Sequence, residues 1–130
     1  MTLMIAVTAA GCGRANDAAK LNELQRVKSG TLDIVLLSRR DGLRHGKDTF
    51  VIEFRSTSGG QLTDVGSVKG SANMPMPGMP MLGTLDMKRA DVAGRYEANG
   101  DFSIAGTWRM TIQWEGLAGQ GSVTFPGTVQ

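Results

Sequence analysis

The nine residues from Thr107 to Glu115 (TWRMTIQWE) show the clearest structural pattern in this sequence. Every second residue is large and apolar, beginning with Trp108 and ending with Trp114, and the residues between them are polar. Alternation with a period of two places successive side chains on opposite faces, as in a strand with one buried face. The pattern therefore predicts a β-strand whose two tryptophans anchor the core.

Shorter stretches of the same kind recur along the chain, separated by turn residues that include many of its 18 glycines. About seven short antiparallel strands at this spacing predict an all-β, immunoglobulin-like β-sandwich over residues 31–130. Besides 107–115, the predicted strands cover Thr31–Leu37, Thr49–Arg55, Val65–Asn73, Thr84–Lys88, Arg95–Asn99 and Gln120–Phe125.

The segment from Met74 to Met81 (MPMPGMPM) contains four of the eight methionines and three of the four prolines. Proline cannot donate a ladder hydrogen bond, so the segment is not the interior of a regular strand. Pro77 and Gly78 occupy the second and third positions of a predicted type II turn. A hairpin-shaped loop folded about this turn brings Met76 opposite Met79 and Met74 opposite Met81, with all four thioethers on one face.

Thioethers gathered on an exposed loop suit a soft monovalent ion, because soft sulfur donors select Cu(I) and, by the same argument, Ag(I). Two other interpretations stay open: the methionines cap the open end of the core, or they form a contact patch for a partner. The predicted metal ligands are drawn from Met74, Met76, Met79, Met81 and His45.

His45 enters this set because of the predicted order of the strands. In a chain of successive antiparallel strands, alternate connections emerge at the same end of the fold. The connections 38–47, 74–83 and 101–106 should therefore share one end, which brings His45 towards the methionine loop. Imidazole is an acceptable copper ligand.

The N-terminus resembles a bacterial lipoprotein signal. Residues 1–11 form an apolar run ending in small residues, and Cys12, the only cysteine, stands where the lipidated residue of a lipobox would be. The run is too short to span a membrane. Because no Lys or Arg precedes it, we expect the signal to begin upstream of Met1. Residues 12–30 are predicted to be a lipidated tether with a short frayed helix, which places the protein on the periplasmic or cell-surface side of a bacterial membrane, held by its lipid anchor alone.

Four segments together resemble the YtkA-like domain family, which is related to the FixH accessory proteins. They are Gly46–Ile52 (GKDTFVI), Met74–Met79 (MPMPGM), Gly94–Ala98 (GRYEA) and Gly106–Ile112 (GTWRMTI). The resemblance extends over roughly Thr31 to Val129. It implies an extracytoplasmic immunoglobulin-like domain of a kind found near copper-handling or metal-efflux components. FixH is linked to the assembly of copper-dependent oxidases, so the implied partners are a membrane efflux or oxidase-assembly protein.

Catalytic chemistry is not evident in the sequence. There is one histidine, the acidic residues are scattered, and no arrangement of nucleophile and base can be assembled, so we expect a protein that is not an enzyme and needs no organic cofactor. The formal net charge of +2 is too small and too dispersed to indicate nucleic-acid binding.

Overall fold

The computed structural model describes residues 21–117 and 119–130, which form an all-β fold without helices. All eight strands pair antiparallel with their neighbours. Their bounds are β1 Asn22–Ser29, β2 Leu32–Ser38, β3 Gly46–Ser56, β4 Ser67–Met74, β5 Met81–Arg89, β6 Arg95–Phe102, β7 Gly106–Gly116 and β8 Gly119–Val129.

The strand order β1-β2-β3-β6-β5-β4-β7-β8 confirms the predicted immunoglobulin-like sandwich. One layer contains β1-β2-β3-β6-β5 and the other β4-β7-β8. Without β1, the order of the strands matches the four-plus-three arrangement of a constant-type immunoglobulin domain. β5 joins the layers, because its first residues pair with β4 and the residues from Thr84 onwards pair with β6. The edge strands β1 and β8 lie against each other, so the sandwich is close to a closed barrel.

The core lies between the two layers and is built by the alternation seen in the sequence. Both tryptophans are buried, as predicted: Trp108 makes an edge contact with Phe102, and Trp114 makes one with Phe54. The other inward residues of β7, Met110 and Ile112, are buried as well. The predicted assignment of β7 is therefore confirmed in position and in orientation.

For the described part of the predicted tether, β1 corrects the expectation of a frayed helix, because residues 22–29 form a strand on β2. The rest of the predicted tether, residues 12–20, lies outside the described residues. The register of β1 shifts between Glu23 and Gln25, which marks a β-bulge. A bulge adds one residue to the strand and changes the phase of the side chains that follow. Leu24 and Val27, three positions apart, consequently both pack against the core, and this spacing resembles that of a helix.

β5 and β8 are longer than predicted, and two glycines explain the difference. Gly83 lies against Trp108, and Gly127 lies over the Met110 side chain, so a Cβ at either position would meet a side chain at close range. The core is filled there by the neighbouring large side chain. The apolar alternation therefore disappears from the sequence of these two strands although the strands continue.

Candidate metal centre at the methionine end

Three connections share one end of the sandwich, as predicted from the antiparallel order. They are residues 39–45 between β2 and β3, residues 75–80 between β4 and β5, and residues 103–105 between β6 and β7. We call this the methionine end, and the end that carries residues 57–66 and 90–94 the opposite end. The last residue of β8, Val129, also lies at the methionine end, where it pairs with Gly106.

Residues 75–80 form the predicted turn. Met74 and Met81 face each other as the last pair of the β4–β5 ladder, and the loop projects beyond them. Gly78 has a φ of +87°, which suits the third position of a type II turn. Met79 is 77% exposed and Met76 is 43% exposed, so two thioethers are open to solvent at the tip.

Met74 does not share this exposed surface, which corrects the expectation that all four thioethers lie on one open face. Its side chain is only 8% exposed and belongs to the core. The alternation of β4 continues from Ala72 to Met74 on the inner face, so the residue is an ordinary inward strand position. Its methyl group fills the space beside Gly106, where a Cβ would meet it at 2.5 Å. Met81 is intermediate, partly buried and packed against the core at the base of the loop.

His45 is held at the methionine end by the C-terminal segment. Its backbone N–H donates to the carbonyl of Gln130 at 2.7 Å, and its ring Nδ1 lies 2.9 Å from the same oxygen. Because a carbonyl can only accept, Nδ1 carries the proton in this contact. With the proton on Nδ1, Nε2 is the ring nitrogen whose lone pair can bind a metal ion. Histidines that bind metals commonly use this arrangement, in which the second ring nitrogen donates to a carbonyl.

The connection that carries His45 is organised by the buried carboxylate of Asp48. This side chain forms an ion pair with Arg40 and accepts a hydrogen bond from the Arg44 backbone N–H at 3.0 Å. The connection formed by residues 39–45 is therefore ordered by a residue of β3 that sequence reasoning did not select. A polar residue at an inward strand position was the available signal, because a buried carboxylate requires a partner.

The structure thus groups the predicted ligands unequally. Met76 and Met79 lie in the loop, and Met81 begins β5 at its base. His45 reaches the same end on a separate connection, and Met74 lies in the core beneath them. Within residues 21–117 and 119–130, no three side chains from among His, Cys, Asp and Glu come together in a way that would hold a metal ion.

Two exposed apolar side chains at this end were missed by sequence reasoning. Leu82 is 77% exposed, and Ile104 is 40% exposed. Leu82 follows Met81 in β5, so strand alternation turns it outward when Met81 turns inward. That signal was present in the sequence, but the predicted strand began only at Thr84.

The fold and this end define a class of protein: an immunoglobulin-like β-sandwich with a thioether-bearing turn at one end. The YtkA-like family matches residues 26–113, from β1 into β7, and the chain belongs to this family. No curated protein and no solved structure shows a significant similarity to the chain. In the part of the chain that the structure describes, we find no helix with the length and apolarity needed to cross a membrane.

Proposed function

We propose that this protein is an extracytoplasmic, lipid-anchored metal-binding module that holds or passes Cu(I), or Ag(I), through its methionine loop. The observation that supports this proposal is the exposure of Met76 and Met79 on a turn whose base is closed by the Met74–Met81 pair. A side chain that served only to fill the core would not be 77% exposed, as Met79 is.

Met76, Met79 and Met81 are the proposed ligands, and His45 is an optional fourth. Uncharged thioethers are soft donors and bind a monovalent soft ion in preference to hard divalent ions. Two or three of them bind at once in this proposal. Met74 is assigned to packing, because its sulfur would have to leave the core to reach an ion at the tip.

The test is a competition titration of the full chain carrying Cys12→Ser, in which anaerobic Cu(I) is shared between the protein and a chromophoric chelator. The cysteine is replaced because a free thiolate would bind Cu(I) by itself. We expect competition in the micromolar range or below. Met76→Leu and Met79→Leu should each weaken it, because leucine preserves bulk and removes the sulfur.

Met87→Leu is the matched control, because Met87 is a partly buried methionine of β5 outside the loop. It should bind as the parent does, and so should Met74→Leu. If all the loop variants bind normally while His45→Ala does not, the site is centred on the histidine. Absence of any competition would refute metal binding.

The lipid anchor is the second part of the proposal and concerns residues 1–20, which lie outside the described residues. Its support is the apolar run followed by small residues and the single cysteine, Cys12. Replacing Cys12 with Ser should release the protein from the membrane fraction or leave its precursor unprocessed. Unchanged fractionation and unchanged mass would show that Cys12 is an ordinary thiol.

A second candidate function is that of an accessory domain whose methionine loop docks on a membrane efflux or oxidase-assembly partner. The exposed Leu82 and Ile104 favour it, since neither can bind a metal ion and both extend the apolar surface at this end. This candidate predicts that the protein does not compete for Cu(I) in the titration, while the exposed apolar side chains of the loop, Leu82 and Ile104 are still needed to bind the partner.

A further inference from the structure

Exposed apolar side chains are concentrated at the methionine end. Six large apolar side chains of residues 21–117 and 119–130 are exposed, and four of them lie at this end. The four are Met76, Met79, Leu82 and Ile104, whereas Val92 and Leu117 lie at the opposite end. A cluster of exposed apolar side chains on one side of a domain marks a contact surface.

The chain also enters the domain at the methionine end. The β1–β2 ladder pairs Asn22 with Ser38, immediately before the connection that carries His45. Cys12 precedes Leu21 by nine positions, a distance that spans at most about 30 Å when fully extended. A lipid group on Cys12 would therefore hold this end close to the bilayer. Strands of 11 residues, such as β7, are about 35 Å long, so a tether of at most about 30 Å is too short to bring the opposite end to the same bilayer.

The charges at this end are compatible with phospholipid headgroups. Exposed cations are provided by Arg39, Arg44 and Lys47, and exposed carboxylates by Asp41 and Asp101. Arg40 is paired with Asp48, and Arg26 is paired both with Glu23 and with Asp33, which lies nearer the opposite end of β2, so neither arginine adds a free positive charge. The balance is weakly positive, which favours an anionic membrane surface slightly and leaves the apolar side chains as the main attraction.

We propose that the methionine end rests on the lipid bilayer that holds the anchor, with Met76, Met79, Leu82 and Ile104 in the boundary between headgroups and acyl chains. This inference rests on the proposed lipidation of Cys12. The tether converts a weak contact into an intramolecular one with a high effective concentration. The methionine loop then lies at the membrane surface, within reach of a membrane-embedded partner that accepts an ion from it.

The experiment uses the acylated full chain with a single introduced cysteine, either Leu82→Cys or Leu117→Cys. Both leucines are exposed, at opposite ends, so they form a matched pair. Acylated Cys12 has no free thiol, so an environment-sensitive fluorophore attaches only at the new position. Reconstituted in vesicles of phosphatidylethanolamine and phosphatidylglycerol, the probe at position 82 should be blue-shifted and quenched by spin-labelled lipid. The probe at position 117 should show neither effect.

A second substitution tests whether the apolar side chains cause the contact. Ile104→Ser, added to the labelled Leu82→Cys chain, should lower the equilibrium constant between the lipid-contacting and detached orientations about tenfold, the factor expected for one buried apolar side chain. Val92→Ser, at the opposite end, is the control and should change nothing. Equal quenching in both would refute the claim that the exposed apolar side chains of the methionine end cause the contact.

Three other results would overturn the proposal in distinguishable ways. If the protein binds vesicles but the probe at position 82 stays in water, the anchor is supported and the proposed orientation is refuted. A parent chain that reacts at Cys12 and stays off the vesicles refutes the anchor, and the orientation with it. In native membranes, a probe that is shielded from water but not quenched by lipid would show that a protein partner covers this end instead.

Discussion

Of the two connections on either side of β4, the longer one is fixed by hydrogen bonds and the shorter one is not. The longer one, residues 57–66, is fixed by hydrogen bonds: Thr63 N–H donates to the Phe54 carbonyl at 2.8 Å, and Gly66 N–H donates to Asp64 at 3.0 Å. The hydrogen bond from the Gly66 N–H, together with the ion pair to Arg89, lowers the pKa of the Asp64 carboxyl. The shorter one, residues 75–80, forms no such loop hydrogen bond with any other described residue.

The comparison separates structural connections from the candidate functional one. Buried backbone polar groups need partners, so a long connection packed on the sandwich must be satisfied by its neighbours. The methionine loop avoids this requirement, because three prolines remove donors and the rest is exposed to water. What remains at its tip are two exposed thioethers, which the fold does not require for its stability.

The largest expected effect lies in the core beneath the methionine end. Trp108 is fully buried, contacts Phe102, and donates its indole N–H to the Ile104 carbonyl at 2.9 Å. Replacing Trp108 with Ala should lower the free energy of unfolding by about 3–5 kcal/mol, as for other large aromatic truncations in cores. Urea denaturation measures the change. A loss below about 1 kcal/mol would mean that this end is not supported by a packed core.

A smaller effect is expected at the opposite end, where Tyr96 fixes the longer connection. Its hydroxyl donates to the Gly66 carbonyl at 2.8 Å from a buried position. Tyr96→Phe leaves this carbonyl without its partner, which should cost about 1–3 kcal/mol. The same denaturation measurement applies, and an unchanged midpoint would show that the connection is held without the tyrosine.

The stability contributed by Tyr96 at the opposite end should also depend on pH in the alkaline range. Burial, followed by the nearby Asp64 carboxylate, raises the pKa of Tyr96. The fold therefore favours the protonated phenol, and this contribution is complete below the ordinary value of about 10 and is lost as the pH rises through the raised pKa. Tyr96 is the only tyrosine in the chain, so phenolate absorbance follows it directly. A titration at the ordinary value would contradict the buried, hydrogen-bonded position.

The smallest change in stability is expected at the methionine loop itself. The double variant Met76→Ser, Met79→Ser should alter the free energy of unfolding by less than about 0.5 kcal/mol, because both side chains are exposed. Met74→Ser is the contrasting variant and should be clearly destabilising, since it empties a buried position. If the two variants destabilise equally, the loop is part of the structural core and its exposure has no special meaning.

Much of the sandwich could be predicted from alternation alone. Strands such as β7, in which large apolar residues alternate with polar ones, were identified correctly. β1 was missed because a bulge gives Leu24 and Val27 a helical spacing, and β5 was shortened because Gly83 leaves its space to Trp108. The first failure comes from a local irregularity of the strand, and the second arises because a tertiary neighbour replaces the local pattern.

The candidate site was predicted less completely than the fold. The turn at Pro77–Gly78 and the Met74–Met81 pair follow from proline and glycine geometry, and the structure shows both. The alternation of β4 predicts that Met74 is buried, whereas its place in the run of methionines and prolines predicts that it is exposed in the loop. The contact between His45 and Gln130 joins residues 85 positions apart, so no local pattern could reveal it.

The central claim is that the exposed thioethers bind a soft monovalent ion, and the copper X-ray absorption spectrum tests it most directly. The sample is the full chain carrying Cys12→Ser, loaded anaerobically with one equivalent of Cu(I). We predict sulfur scatterers in the first coordination shell, and their loss when Met76→Leu and Met79→Leu are combined. A shell of nitrogen and oxygen alone, unchanged by the double variant, would contradict the account.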